Sequence, residues 1–229
     1  MEQWITLGCI ISFSFLPAVI VYMWERRIVW PYSDSLNVDP SQDEHRNVLN
    51  QEYIDTTLEE MRQCGFRLLC RYYDARRPQY KLSYIFAISE DRQTMALLGY
   101  GDMLGIHAKG VNLISKNSDN HYYYTTNTTA NESYDVSETS DTQVFLTAKN
   151  FIVLYNQHKK WLLHRTIPSD FSSDGALQEY RNFFYSRCEL RQSRGLIRYI
   201  DSEKREWRYT LWGAMKMSVM SVLKMLFRF

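Results

Sequence analysis

The side chains from which this chain could build a reactive site are five histidines, four cysteines and a few serines near basic residues. His45, His107, His121, His158 and His164 include no pair at the four-residue spacing that puts two imidazoles on one helical face. His158 and His164, six apart, fall on different faces. No metal site is therefore expected, and Asp43-Glu44-His45 reads as a helix start rather than a ligand cluster. Ser221-Val222-Leu223-Lys224 matches a nucleophile signature on paper, but its companion motifs are missing. Gly99-Tyr100-Gly101-Asp102-Met103-Leu104-Gly105 misses the dinucleotide fingerprint by one position. The residues after it continue in a strand-like pattern, whereas phosphate binding needs a helix N-terminus there. These glycines read as serving a bulge or turn, and no cofactor is expected. Cys9 lies in an apolar run, and Cys64, Cys70 and Cys188 have neither disulfide-framework nor zinc spacing, as suits buried thiols.

One polar stretch remains, Ser115 to Thr129, dense in Asn, Asp, Tyr and Thr. Asp119, His121, Tyr122, Tyr124 and Asn127 are its candidate ligand surface; the alternative is a solvated edge strand with tyrosines alternating between faces. Arg71, Arg76, Arg77 and Lys81 form a basic turn suited to an acidic partner or lipid headgroups. If the chain is an enzyme, its site must be assembled from distant residues such as His121, His158 and Asp119, joined by tyrosines.

The elements that would position these residues begin with an anchor. Residues 4–24 run without a charge, and at about 1.5 Å per residue they span the roughly 30 Å of a bilayer's hydrocarbon core. Trp4 stands at one end and Trp24 at the other, as in interfacial aromatic belts. Only Met1, Glu2 and Gln3 precede the run, and its far end is bulky, so it does not read as a cleaved leader. Arg26 and Arg27 follow it with no Lys or Arg before it, which predicts the N-terminus outside and the remaining domain cytoplasmic. Two glycosylation sequons, at Asn127 and Asn131, point the other way but arise readily in so polar a loop.

Residues 28–44 read as a linker. A helix is predicted from near Asp43 to Gly65, then short strands at 66–75, 80–89, 95–103, 109–115 and 121–128. A polar loop follows at 129–142, then helices at 145–164 and 174–192; residues 196–210 read as a hairpin around Asp201-Ser202-Glu203-Lys204 or as a helix, with the hairpin preferred. The fold class is α+β: a mostly antiparallel sheet against two or three helices, with the soluble domain spanning 45–210.

Residues 211–229 are not a good second span, because Lys216 and Lys224 would lie within it. On a helix, Leu211, Trp212, Met215, Val219 and Leu223 share one face, with Lys224 opposite and Lys216 at the boundary. This predicts an interfacial helix on an anionic leaflet; the alternative is a stripe packed on the domain's own sheet. The formal charge is only +1, so no nucleic-acid partner is expected. The expected function is a single-pass, membrane-anchored accessory, scaffold or sensory domain. Its partners would be the lipid bilayer and another membrane protein, and a membrane-associated enzyme is the alternative.

Overall fold

A computed structural model of the chain describes residues 28–29, 51–73, 82–103, 106–128, 140–165, 168–171, 175–201 and 206–216. The predicted span at 4–24 lies outside them; among the described residues no helix is long and apolar enough to cross a membrane. The fold is α+β. The chain divides into a terminal unit, Met1–Trp30 with Phe184–Phe229, and a central unit, Pro31–Phe183.

The central unit holds α1 (Gln51–Gln63), β2 (Phe66–Tyr73), β3 (Leu82–Ser89), β4 (Met95–Met103), β5 (Ile106–Lys116), β6 (Tyr122–Thr126), β7 (Ser140–Val144) and α2 (Phe151–Leu163). It also holds the first turns of α3 (Ala176–Ser193). The six strands lie in sequence order, each antiparallel to the last until β7, which pairs parallel to β6. That last pair corrects the reading of 129–142 as loop throughout. Ser-Asp-Thr-Gln-Val lacks the apolar alternation that marks a strand because β7 is an edge, where most side chains stay half-buried. The stretch between β6 and β7 gives the long crossover that a parallel pair requires.

Both faces of the sheet are covered, which explains why β3 and β4 read as near-continuous apolar runs. One face carries Ile85, Ala87, Ala96, Leu98, Val111 and Leu113 against Ile54 and Met61 of α1 and Phe151, Leu154 and Tyr155 of α2. Phe66 meets the rings of Phe151 and Tyr155 edge-on at 5.1 and 5.0 Å. On the other face Tyr180 lies against Phe86, and Phe183 against Tyr122 and Tyr124. Helix α2 starts later than its periodicity suggests. Asn150 caps it by accepting from Val153 N at 2.9 Å, and Glu60 accepts from Phe151 N at 2.8 Å. Gly99 and Gly101 sit in regular register between β3 and β5 rather than in a bulge or turn. The ring of Tyr84 lies over Gly99, 3.4 Å from where a Cβ would stand, so the missing side chain makes room for an aromatic.

In the terminal unit the rest of α3 leads to a hairpin of β8 (Ile197–Asp201) and β9 (Glu206–Tyr209), as the sequence predicts. Gly195, at φ +69°, closes α3 with two backbone bonds: its own N–H reaches Gln192 O at 2.9 Å and that of Leu196 reaches Arg191 O at 2.9 Å. A two-residue strand, β1 (Ile28–Val29), adds to the hairpin, giving the order β1-β9-β8. The segment read as a linker thus begins as a strand, with Ile28 opposite Trp207 and Val29 opposite Glu206. Trp207 is fully buried, stacked on Tyr199 at 5.1 Å and beside Tyr185 at 5.8 Å.

Candidate functional site

The polar stretch after β5 resolves mostly into turn chemistry. Asn117 Oδ1 accepts from the backbone N–H of Asp119 at 3.0 Å and of His121 at 2.9 Å, while Asn120 takes the left-handed conformation at φ +57°. Asp119 stays exposed on this turn. His121 Nε2 faces Asp141 Oδ1 of β7 at 3.7 Å, and Asp141 also binds Arg165 at 2.9 Å. Tyr122 and Tyr124 turn to the opposite face from Tyr123, and Tyr124 is fully buried on Phe183. Asn127 follows the end of β6 and ties it to the middle of β5: its Oδ1 accepts from Val111 N at 2.8 Å, and its Nδ2 donates to Ala148 O at 3.4 Å. The five candidate residues are therefore spread over a turn, an edge cluster, a buried face and a strand end, and do not share one surface.

His158 sits at the centre of a different constellation. It projects from α2 onto the sheet and is 0 % exposed, as are Ser115 and Thr125. Ser115 Oγ lies 3.0 Å from its Nε2 and Thr125 Oγ1 lies 2.7 Å from its Nδ1. Thr94 Oγ1 continues the chain 3.0 Å from Ser115 Oγ, and Ser89 Oγ accepts from Thr94 N at 3.0 Å. A serine hydroxyl on an imidazole is the first half of a nucleophilic array. Here a threonine hydroxyl holds the position where a carboxylate would orient the ring, and every member is sealed in the core. Burial pushes the His158 pKa down to about 3, so the ring is neutral and a weak base near pH 7. The cluster acts as a satisfied polar core that ties α2 to β5, β6 and the turn between β3 and β4.

The sequence places His158 on a helical stripe with Phe151, Leu154, Tyr155 and Leu162, but its partners stand 43 and 33 positions away. The grouping of His121, His158 and Asp119 is not assembled. His121 meets Tyr123, Tyr123 meets Trp161, and Trp161 meets His158, at ring distances of 5.1, 5.6 and 6.2 Å, so each imidazole keeps its own partners. Among the described residues no three His, Cys, Asp or Glu side chains are placed to hold a metal ion.

The terminal unit carries the residues expected at a membrane. Trp4, Trp24, Arg26, Arg27, Val219, Leu223 and Lys224 lie outside the described residues, as do Arg76, Arg77 and Lys81 of the basic turn. Leu211, Trp212, Met215 and Lys216 are described and helical. Thr210 starts this helix: its Oγ1 accepts from Gly213 N at 3.0 Å and donates to Gly195 O at 2.6 Å. A Cβ at position 213 would fall 1.8 Å from Leu196 O, so only glycine fits, and Ala214 beside it is fully buried. Gly213 and Ala214 thus face inward, leaving Leu211 46 % and Trp212 61 % exposed and Lys216 in solvent.

The charge is also divided. Residues 184–229 hold ten Lys and Arg against four Asp and Glu, and residues 1–30 two of each. The terminal unit is therefore +6 and the central unit, with fifteen basic and twenty acidic residues, −5. The whole-chain value of +1 is the sum of two opposed charges. No protein-family model matches the chain, and no curated protein and no solved structure is similar to it at a significant level.

Proposed function

We infer that this chain is a single-pass membrane protein. Residues 4–24 span the bilayer with the N-terminus outside, and the folded part acts on the cytoplasmic side by binding. Its role is that of an accessory, scaffold or sensory partner of another membrane component. The observation that carries this reading is the composition of the terminal unit. The strand that directly follows the apolar run and the start of the amphipathic tail belong to one small sheet-and-helix unit of charge +6. Exposed Trp212 and Leu211 beside Lys216 are the mixture that an interface with an anionic leaflet favours. On the central unit, α2 leaves Val153 and Leu163 exposed, apolar surface that a protein partner can cover. Alkaline carbonate extraction tests the reading. The full chain is expected to stay with the membrane pellet, and its release into the supernatant would overturn the anchored assignment.

A further inference from the structure

The hairpin has two faces. Ile197, Tyr199, Trp207 and Tyr209 point inward, and Arg198, Ile200 and Arg208 point the other way. Arg198 and Arg208 are direct register partners; Arg198 is exposed and Arg208 half-buried, with Ile200 44 % exposed on the same face. We propose that this outer face, together with Leu211, Trp212 and Lys216, is a contact for the anionic headgroups of the leaflet. The terminal unit then meets lipid with a folded surface and not only with its tail. The inference rests on the anchored reading above and goes beyond it in adding the outer face of the hairpin to the contact with the anionic leaflet.

Three observations carry it. The first is distance. Ile28 follows Trp24 by four residues, so if Trp24 marks the interface, β1 lies within about 14 Å of it. Strands sit about 4.8 Å apart, so β9 and β8 are held within roughly 10 Å more, a short tether that lets the hairpin meet the headgroups by direct contact, as screening in physiological salt requires. The second is chemistry. Planar guanidinium groups bind phosphate and carboxylate oxygens in pairs, Arg198 and Lys216 are exposed, and a unit of net charge +6 is complementary to an anionic leaflet. The third is rigidity. Thr210 and Gly213 clamp the tail helix to the Gly195–Leu196 turn without a linker, so the exposed Leu211 and Trp212 keep a set place beside the hairpin.

The test uses the full chain reconstituted in vesicles of phosphatidylcholine alone and of phosphatidylcholine with phosphatidylserine, read by amide hydrogen exchange over residues 206–216. Exchange is expected to slow on the anionic vesicles only. High salt, or the double variant Arg198→Glu with Lys216→Glu, should remove the difference with an unchanged melting temperature. Each basic residue near an anionic surface contributes a factor of about five in binding, so the pair is worth roughly twenty-five-fold. Retention on both kinds of vesicle with equal exchange would overturn this inference while leaving the anchor intact. Loss of the chain from both would overturn the anchor and this inference with it. Slowing by added RNA, with no response to anionic lipid, would assign the face to nucleic acid and overturn the lipid contact.

Discussion

Ile28 stands opposite Trp207 in the ladder between β1 and β9, so the residues just after the apolar run are hydrogen-bonded to the C-terminal hairpin. Trp207 is the largest fully buried side chain among the described residues, and it organises the terminal unit through Tyr199 and Tyr185. Trp207→Ala should cost about 3–5 kcal/mol, as removal of a buried aromatic leaves a cavity as well as lost burial. Urea unfolding followed at the terminal unit's signals measures it. A cost under about 1 kcal/mol would mean the side chain is not buried as described.

Two glycines of the same unit should respond differently to alanine. Gly195→Ala forces a side chain into the left-handed region at φ +69° and should cost about 1–2 kcal/mol, with open space around it. Gly213→Ala drives a methyl into the Leu196 carbonyl and must displace the start of the tail helix. Its larger loss of stability, with loss of the tail's exchange protection, is the expected result; equal effects would contradict the described approach.

His158 sets a pH dependence. Its folded pKa of about 3 lies below the unfolded value of about 6.5, so the folded chain binds fewer protons. Stability is full above about pH 6.5 and is lost as pH falls through the window toward 3. Between pH 7 and pH 5 the loss should be about 2 kcal/mol, and His158→Gln should abolish that slope. An unchanged slope in the variant would place the proton uptake elsewhere.

The central sheet was legible because β3 to β6 are largely buried and β2 to β6 are rich in aromatic and branched residues. The hairpin was only partly legible: the turn residues at its bend favoured it over a helix by a narrow margin. Strand β7 was not, since an edge strand of Ser, Asp, Thr and Gln resembles the loop before it. The partners of His158 were hidden for a different reason. Hydroxyls are common, and only the register of β5 and β6 brings Ser115 and Thr125 to α2. The charge division was invisible in the total because the boundary falls inside α3, a continuous helix that no composition change marks.

Orientation has its own test. Asn127 Nδ2, the atom a glycan would occupy, donates to Ala148 O, so its sequon is structurally engaged and Asn131 is the informative one. In a eukaryotic host Asn131 should stay unglycosylated, and a reporter active only in the cytoplasm should work when fused near Ser41. Glycosylation at Asn131 would reverse the assignment.

The most direct measurement of the two-contact claim is flotation of the chain lacking residues 1–27, which keeps β1 and its pairing to Trp207. It should float with phosphatidylserine-containing vesicles at low salt and sink at high salt. Lys216→Glu with Lys224→Glu should release it without lowering the melting temperature, since about 1 kcal/mol per basic residue is lost at the surface. Leu223→Asp should release it as well, by placing a charge on the apolar face. Flotation unchanged by the double reversal, with a lowered melting temperature for Leu223→Asp, would mean that the tail belongs to the protein's own core and would contradict the account.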